Sequence, residues 1–128
     1  MAQLNHIGLY VSDLEGAKHF FEKYFGAKSG EKYHNPHKSF SSYLLFFDAG
    51  ATLEIMTKPN LVTPTERTNN FGYAHISIAV GSKEKVDETT KRMVGDGFRC
   101  IDGPRTTGDG YYESTVLDAE GNAIEITV

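Results

Sequence analysis

The feature that most constrains this chain is that it repeats itself. The pattern H-I-x-[LI]-x-V occurs at His6-Ile7-Gly8-Leu9-Tyr10-Val11 and again at His75-Ile76-Ser77-Ile78-Ala79-Val80. The run Asp48-Ala49-Gly50-Ala51-Thr52-Leu53-Glu54-Ile55 returns, one residue longer, as Asp118-Ala119-Glu120-Gly121-Asn122-Ala123-Ile124-Glu125-Ile126. Each half opens on His-Ile and closes on a Leu/Ile-Glu-Ile strand. Self-similarity of this kind means one supersecondary unit used twice.

Between these ends the halves also agree. Ala17, Phe20, Phe21, Tyr24 and Phe25 follow helical spacing, which predicts a helix from Glu15 to Phe25. Ser12 or Asp13 caps its start and Gly26 stops it. In the second half Val86, Thr89, Thr90, Met93 and Val94 form one face of a helix over Lys83–Val94, with Gly95 and Gly97 after it. Further strands are expected near residues 27–33, 41–48 and 52–56, then 98–103, 111–118 and 123–128. The turns around Gly50 and Gly121 read as hairpin connections. The chain is therefore α+β, each half a strand, a helix and two or three strands. Module one covers about residues 1–57 and module two about 73–128. The stretch 58–72, with Pro59, Pro64 and Asn69-Asn70, reads as the linker.

Strand parity points to the chemistry. Successive side chains alternate between faces. Ile7, Leu9 and Val11 share one face and His6, Gly8 and Tyr10 the other. The same rule separates Ile76, Ile78 and Val80 from His75, Leu53 and Ile55 from Glu54, and Ile124 and Ile126 from Glu125. With the apolar rows under the helices, His6, Glu54, His75 and Glu125 all lie on faces turned away from them. If the two sheets curl toward each other, the four meet in one cavity. A lone strand His or Glu is ordinarily an edge or solvent-facing residue. The recurrence of both types at matching places is what singles these out. A glutamate among aliphatic residues is costly to bury alone, and a divalent ion relieves it. Two imidazoles and two carboxylates suit Zn, Ni or Co, and also Mn or Fe.

Other function classes find no support. The formal net charge is −4 and no Lys/Arg run stands out, so nucleic acid is not an expected partner. No apolar stretch is long enough to span a membrane. The N-terminus lacks the basic and apolar regions of a signal peptide, and Cys100 is the only cysteine. By elimination the expected location is cytoplasmic. Cys100 reads as a small strand hydrophobe, His19 as a helix residue at the surface or the core edge, and His34 and His37 as loop residues flanking Pro36.

The quoted segments, with Leu9-Tyr10-Val11-Ser12-Asp13-Leu14-Glu15 and Gly72-Tyr73-Ala74-His75 beside them, resemble the vicinal oxygen chelate superfamily, and within it glyoxalase I (lactoylglutathione lyase). The resemblance implies two βαβββ modules forming a partly open barrel around a metal held by His6, Glu54, His75 and Glu125. It implies a homodimer, in which the module pairing often crosses between chains. The implied reaction is proton abstraction next to a carbonyl, on the hemithioacetal of a 2-oxoaldehyde and a thiol. Glu125 is the implied base, with Glu54 a ligand or the group that returns the proton. The scaffold also hosts epimerases, extradiol dioxygenases, fosfomycin-type thiol transferases and metal-free antibiotic-binding proteins. Glutathione-specific bacterial members have Arg and Asn where this chain has Tyr10 and Lys58, so those usual contacts are missing. Lys58, Arg67 and Arg105 are candidate cations for a substrate carboxylate. Gly103–Tyr112, with Arg105 and Tyr111, reads as a substrate-side loop or a plain hairpin turn.

Overall fold

The computed structural model describes residues Met1–Val128, which divide into two compact units, Met1–Thr63 and Pro64–Val128. In the first unit β1 (His6–Tyr10) leads to α1 (Leu14–Phe25). Then come β2 (Lys28–Ser29), β3 (Tyr33–Asn35), β4 (Phe40–Phe46) and β5 (Thr52–Thr57). The sheet order is β1-β5-β4-β2, with β3 also pairing β4. In the second unit β6 (Ile76–Ala79) and α2 (Lys83–Gly95) are followed by β7 (Cys100–Thr106), β8 (Tyr112–Leu117) and β9 (Ala123–Thr127). Here the order is β6-β9-β8-β7. Each unit is thus a βαβββ-like module, and the class is α+β. Neither helix is long and apolar enough to cross a membrane.

Local chemistry sets the helix limits. Asp13 caps α1 by accepting the Gly16 N–H at 2.9 Å. Gly26 ends it at φ 64°, a left-handed conformation that a side chain would penalise. Ser82 caps α2 through the Lys85 N–H. The cores follow the predicted parity. Val11, Phe21, Leu45 and Ile55 are fully buried in the first unit, and Val86, Met93, Val116, Ile124 and Ile126 in the second. Ser114 is buried among them. Thr90 donates to the Val86 carbonyl at 2.6 Å, so the 2.6 Å contact between Thr90 and Ser114 uses the Ser114 proton. At the start of α1, Glu15 accepts from Tyr43 and Lys32, and its carboxyl is held below the ordinary value of 4.5, first by the Lys32 bond and then by Tyr43.

Three expectations shift. The strand expected over 27–33 is broken into β2 and β3 by Gly30-Glu31-Lys32. Val94, expected on the packed face of α2, is 49% exposed. The segment from Gly103 is not all loop: β7 runs on to Thr106, with register shifts between Cys100 and Arg105 that absorb Pro104. Only residues 107–111 form the turn, closed by a Thr107 N–H bond to the Tyr111 carbonyl at 2.7 Å.

Candidate metal centre

Each unit gathers one histidine and one glutamate on the sheet face away from its helix. In the first, β1 and β5 run parallel, and Gly8 lies opposite Glu54. His6 Nε2 stands 3.7 Å from Glu54 Oε2, and the Glu54 side chain is 24% exposed. The Asn5 carbonyl oxygen of the side chain contacts His6 Nδ1 at 2.8 Å, which orients the ring. In the second unit β6 begins one residue after His75, and Ser77 lies opposite Glu125. His75 Nε2 is 3.3 Å from Glu125 Oε2, and Ser77 Oγ donates to Glu125 Oε1 at 2.7 Å.

These dimensions suit a shared cation. Two donors each about 2.1 Å from a tetrahedral ion lie roughly 3.4 Å apart. Two neutral imidazoles and two carboxylates also balance a divalent charge. Neither pair is more than two donors, and no group of three or more His, Cys, Asp or Glu is close enough to hold an ion. The geometry therefore gives two His–Glu pairs of the same design, one in each unit.

The remaining candidates separate clearly. Tyr10 shares the His6 face, and Lys58 Nζ sits 5.1 Å above its ring. Arg105 forms a paired contact with Asp102, Nε to Oδ1 at 3.0 Å and an NH2 group to Oδ2 at 3.0 Å. Arg67 donates to Asn122 at 3.0 Å, in the turn between β8 and β9, and packs on Gly121. Tyr111 is exposed at the end of the β7–β8 turn, just before β8. His34 contacts Ser41 Oγ at 2.7 Å.

Sequence reasoning missed Glu113. It lies on β8 opposite Thr127, two residues from Thr115, which faces Glu125. Its carboxyl is bonded to Glu125, which raises its pKa above the ordinary range; burial and the Glu125 charge add to this. The signal was parity: Glu113 and Thr115 share a face of a strand whose Ser114 and Val116 alternate inward.

Comparison with known proteins identifies the family and the fold. The chain belongs to the Glyoxalase/Bleomycin resistance protein/Dioxygenase superfamily, whose sequence model matches residues 3–126. Among individual proteins it is similar to the uncharacterized protein YqjT of Bacillus subtilis (strain 168), at 28% identity over 131 residues and 96% of each chain. The trypanothione-dependent glyoxalase I of Leishmania major shares the fold at a TM-score of 0.79 and 20% identity, over 99% of this chain and 86% of that one. The fosfomycin resistance protein FosX of Listeria monocytogenes, solved with Mn(II) and sulfate, does so at a TM-score of 0.76 and 22% identity, over 100% and 93%.

Proposed function

We propose that this protein is a metal-dependent lyase or isomerase of the glyoxalase I type, acting on the hemithioacetal of a 2-oxoaldehyde and a thiol. The observation that carries the reading is the doubled His–Glu pair, at separations that fit two donors on one ion. His6, Glu54, His75 and Glu125 would hold a divalent ion, Zn, Ni or Co before Mn or Fe, with the two pairs drawn from one chain or from two copies. Bound there, the ion supplies Lewis-acid polarisation of the two neighbouring substrate oxygens.

The protein residues do the rest. Glu125 Oε2 is turned toward His75, which leaves Oε1 for proton transfer. Ser77 holds Oε1 and releases it by rotating its hydroxyl. Glu125 then takes the proton from the carbon that bears sulfur, and Glu54 serves as a ligand or returns the proton. Tyr10, Lys58, Arg67, Arg105 and Tyr111 are the proposed substrate contacts; Lys58 over Tyr10 is the best supported, since Arg105 and Arg67 already have partners. A homodimer is supported by the edge strands β1 and β6, because edges are seldom left unpaired.

The test is metal analysis of the purified protein, then turnover of methylglyoxal with several thiols. About one ion per chain is expected. Glu125→Gln should lower kcat on the order of a hundredfold to ten-thousandfold while keeping most of the metal, as removal of a general base does. Glu54→Gln should lose metal more than it loses turnover per bound ion. Protein that takes up none of Zn, Ni, Co or Mn would refute the reading.

A further inference from the structure

The two units share a plan, but their helices are packed differently. Aligned on their caps, Asp13 and Ser82, the helices put Phe21 level with Thr90 and Phe25 level with Val94. On the sheets, Tyr43 lies opposite Ile55 and Ser114 takes the matching place opposite Ile126. In the first unit aromatic rings fill this layer. Phe21 is fully buried, its ring centre 5.1 Å from that of Phe20 and 6.2 Å from that of Phe25. The second unit has two hydroxyls there, Thr90 and Ser114, bonded to one another at 2.6 Å. With Thr90 and Val94 in place of phenylalanines, a cleft of about 360 Å³ opens between α2 and the edge strand β7.

This cleft lies on the helix side of the second sheet, since Cys100 in its wall is paired with Val116 of the core. His75 and Glu125 belong to the other face. Asp87, Thr90, Lys91 and Val94 follow i, i+3, i+4, i+7 spacing, so one face of α2 makes one wall, and Cys100 and Pro104 stand in the other. The volume falls at the small end of ligand sites, which run about 300–1,000 Å³. The polar groups decide what the cleft can take. Thr90 is committed to Val86 and Ser114, and Cys100 Sγ to the Asp102 carbonyl at 3.3 Å. Asp87 accepts the Tyr112 hydroxyl at 2.5 Å. Lys91 alone among them has no partner. One free cation beside Val94 and Pro104 complements one negative charge on an apolar body. The Asp87 carboxylate is one helical turn from Lys91, a rise of about 6 Å, and disfavours a second negative charge.

We propose that the cleft between α2 and β7 binds a small monocarboxylate with an aromatic or branched apolar body. Its carboxylate meets Lys91 Nζ and its body lies against Val94, Cys100 and Pro104. The site lies within one unit and stands whether or not the His–Glu pairs hold metal.

The test is an NMR titration of the whole chain with benzoate and with benzamide, which has the same shape and no charge. EDTA is kept present, so that no metal can take the carboxylate. Benzoate should shift the backbone amides of Lys91, Val94, Cys100 and Gly103, with a Kd of about 1 mM. It should bind about two- to fivefold tighter than benzamide, as an exposed ion pair allows. Lys91→Gln should erase that difference. Val94→Phe, which copies Phe25 of the first unit, should fill the cleft and abolish binding of both compounds. Both positions are exposed, and circular dichroism checks that the variants fold. No shift at the cleft amides, or equal affinities for the two compounds in the wild type, would overturn the proposal. So would benzoate shifts centred on His75 and Glu125, which would assign the anion to the opposite face. Cleft amides that move with protein concentration and not with benzoate would also overturn it, assigning the cleft to contact between copies.

Discussion

Removing one hydroxyl should measurably weaken metal binding at the proposed centre. Ser77 Oγ donates to Glu125 Oε1 at 2.7 Å, and Oε2 faces His75 at 3.3 Å. With Oε1 held, the carboxylate keeps Oε2 toward His75, where the proposed ion would sit; in Ser77→Ala that hold is lost and only the Glu113 contact remains. A hydrogen bond to a charged group contributes about 1.5–3 kcal/mol when shielded. Here the Glu125 side chain is 18% exposed and Ser77 is exposed, so water replaces part of what is lost. The low end of the range applies, about 1.5 kcal/mol, or a little over tenfold in affinity. Loss of an outer-shell partner typically weakens metal binding by about 10–100-fold, so this estimate sits at the lower edge of that range.

The assay is competition for Zn or Ni against a chromophoric chelator at fixed pH. Ser77→Ala should show a Kd about tenfold higher, and Ser77→Thr, which keeps the hydroxyl, a Kd near wild type. The melting temperature of the metal-free protein should hardly change, because Ser77 faces away from the core formed by Ile124 and Ile126. A Kd within about twofold of wild type for the alanine variant would refute the idea that Ser77 orients Glu125.

Two predictions concern stability. Thr90→Val should cost about 1–3 kcal/mol in urea unfolding, since the buried Ser114 hydroxyl loses the atom to which it donates; an unchanged midpoint would mean that Ser114 finds another acceptor. Glu15→Gln should be less stable than wild type at neutral pH. The Glu15 carboxyl is lowered in the folded state, so its contribution is present above 4.5 and fades as pH falls through the folded value. Melts at pH 7 and near pH 3 should show the gap closing on acidification, and a gap of constant size would refute the linkage.

What the sequence made legible was whatever depends on neighbours along the chain. Asp13 and Gly26 bound α1 by local hydrogen bonding and backbone geometry, and both lie at its ends. Alternation in β1, β5 and β9 carries His6, Glu54 and Glu125 to the face away from the helices, because parity needs only the strand itself. Strand β7 was harder. Gly103-Pro104 reads as loop, yet β7 is the edge of its sheet, where a missing N–H costs little, and the register shifts there take up the irregularity. Arg67 looked like a free cation in a linker and instead closes the β8–β9 turn on Asn122, a contact between residues 55 apart along the chain. The surroundings of the two glutamates were the least legible part. That Glu125 stands between two hydroxyls, and Glu54 between a glycine and a leucine, depends on register across three strands whose connections include a helix. A repeat in the sequence marks what the halves share. Where they differ is in the cross-strand neighbours, where Leu44 and Thr115 occupy equivalent positions with opposite chemistry.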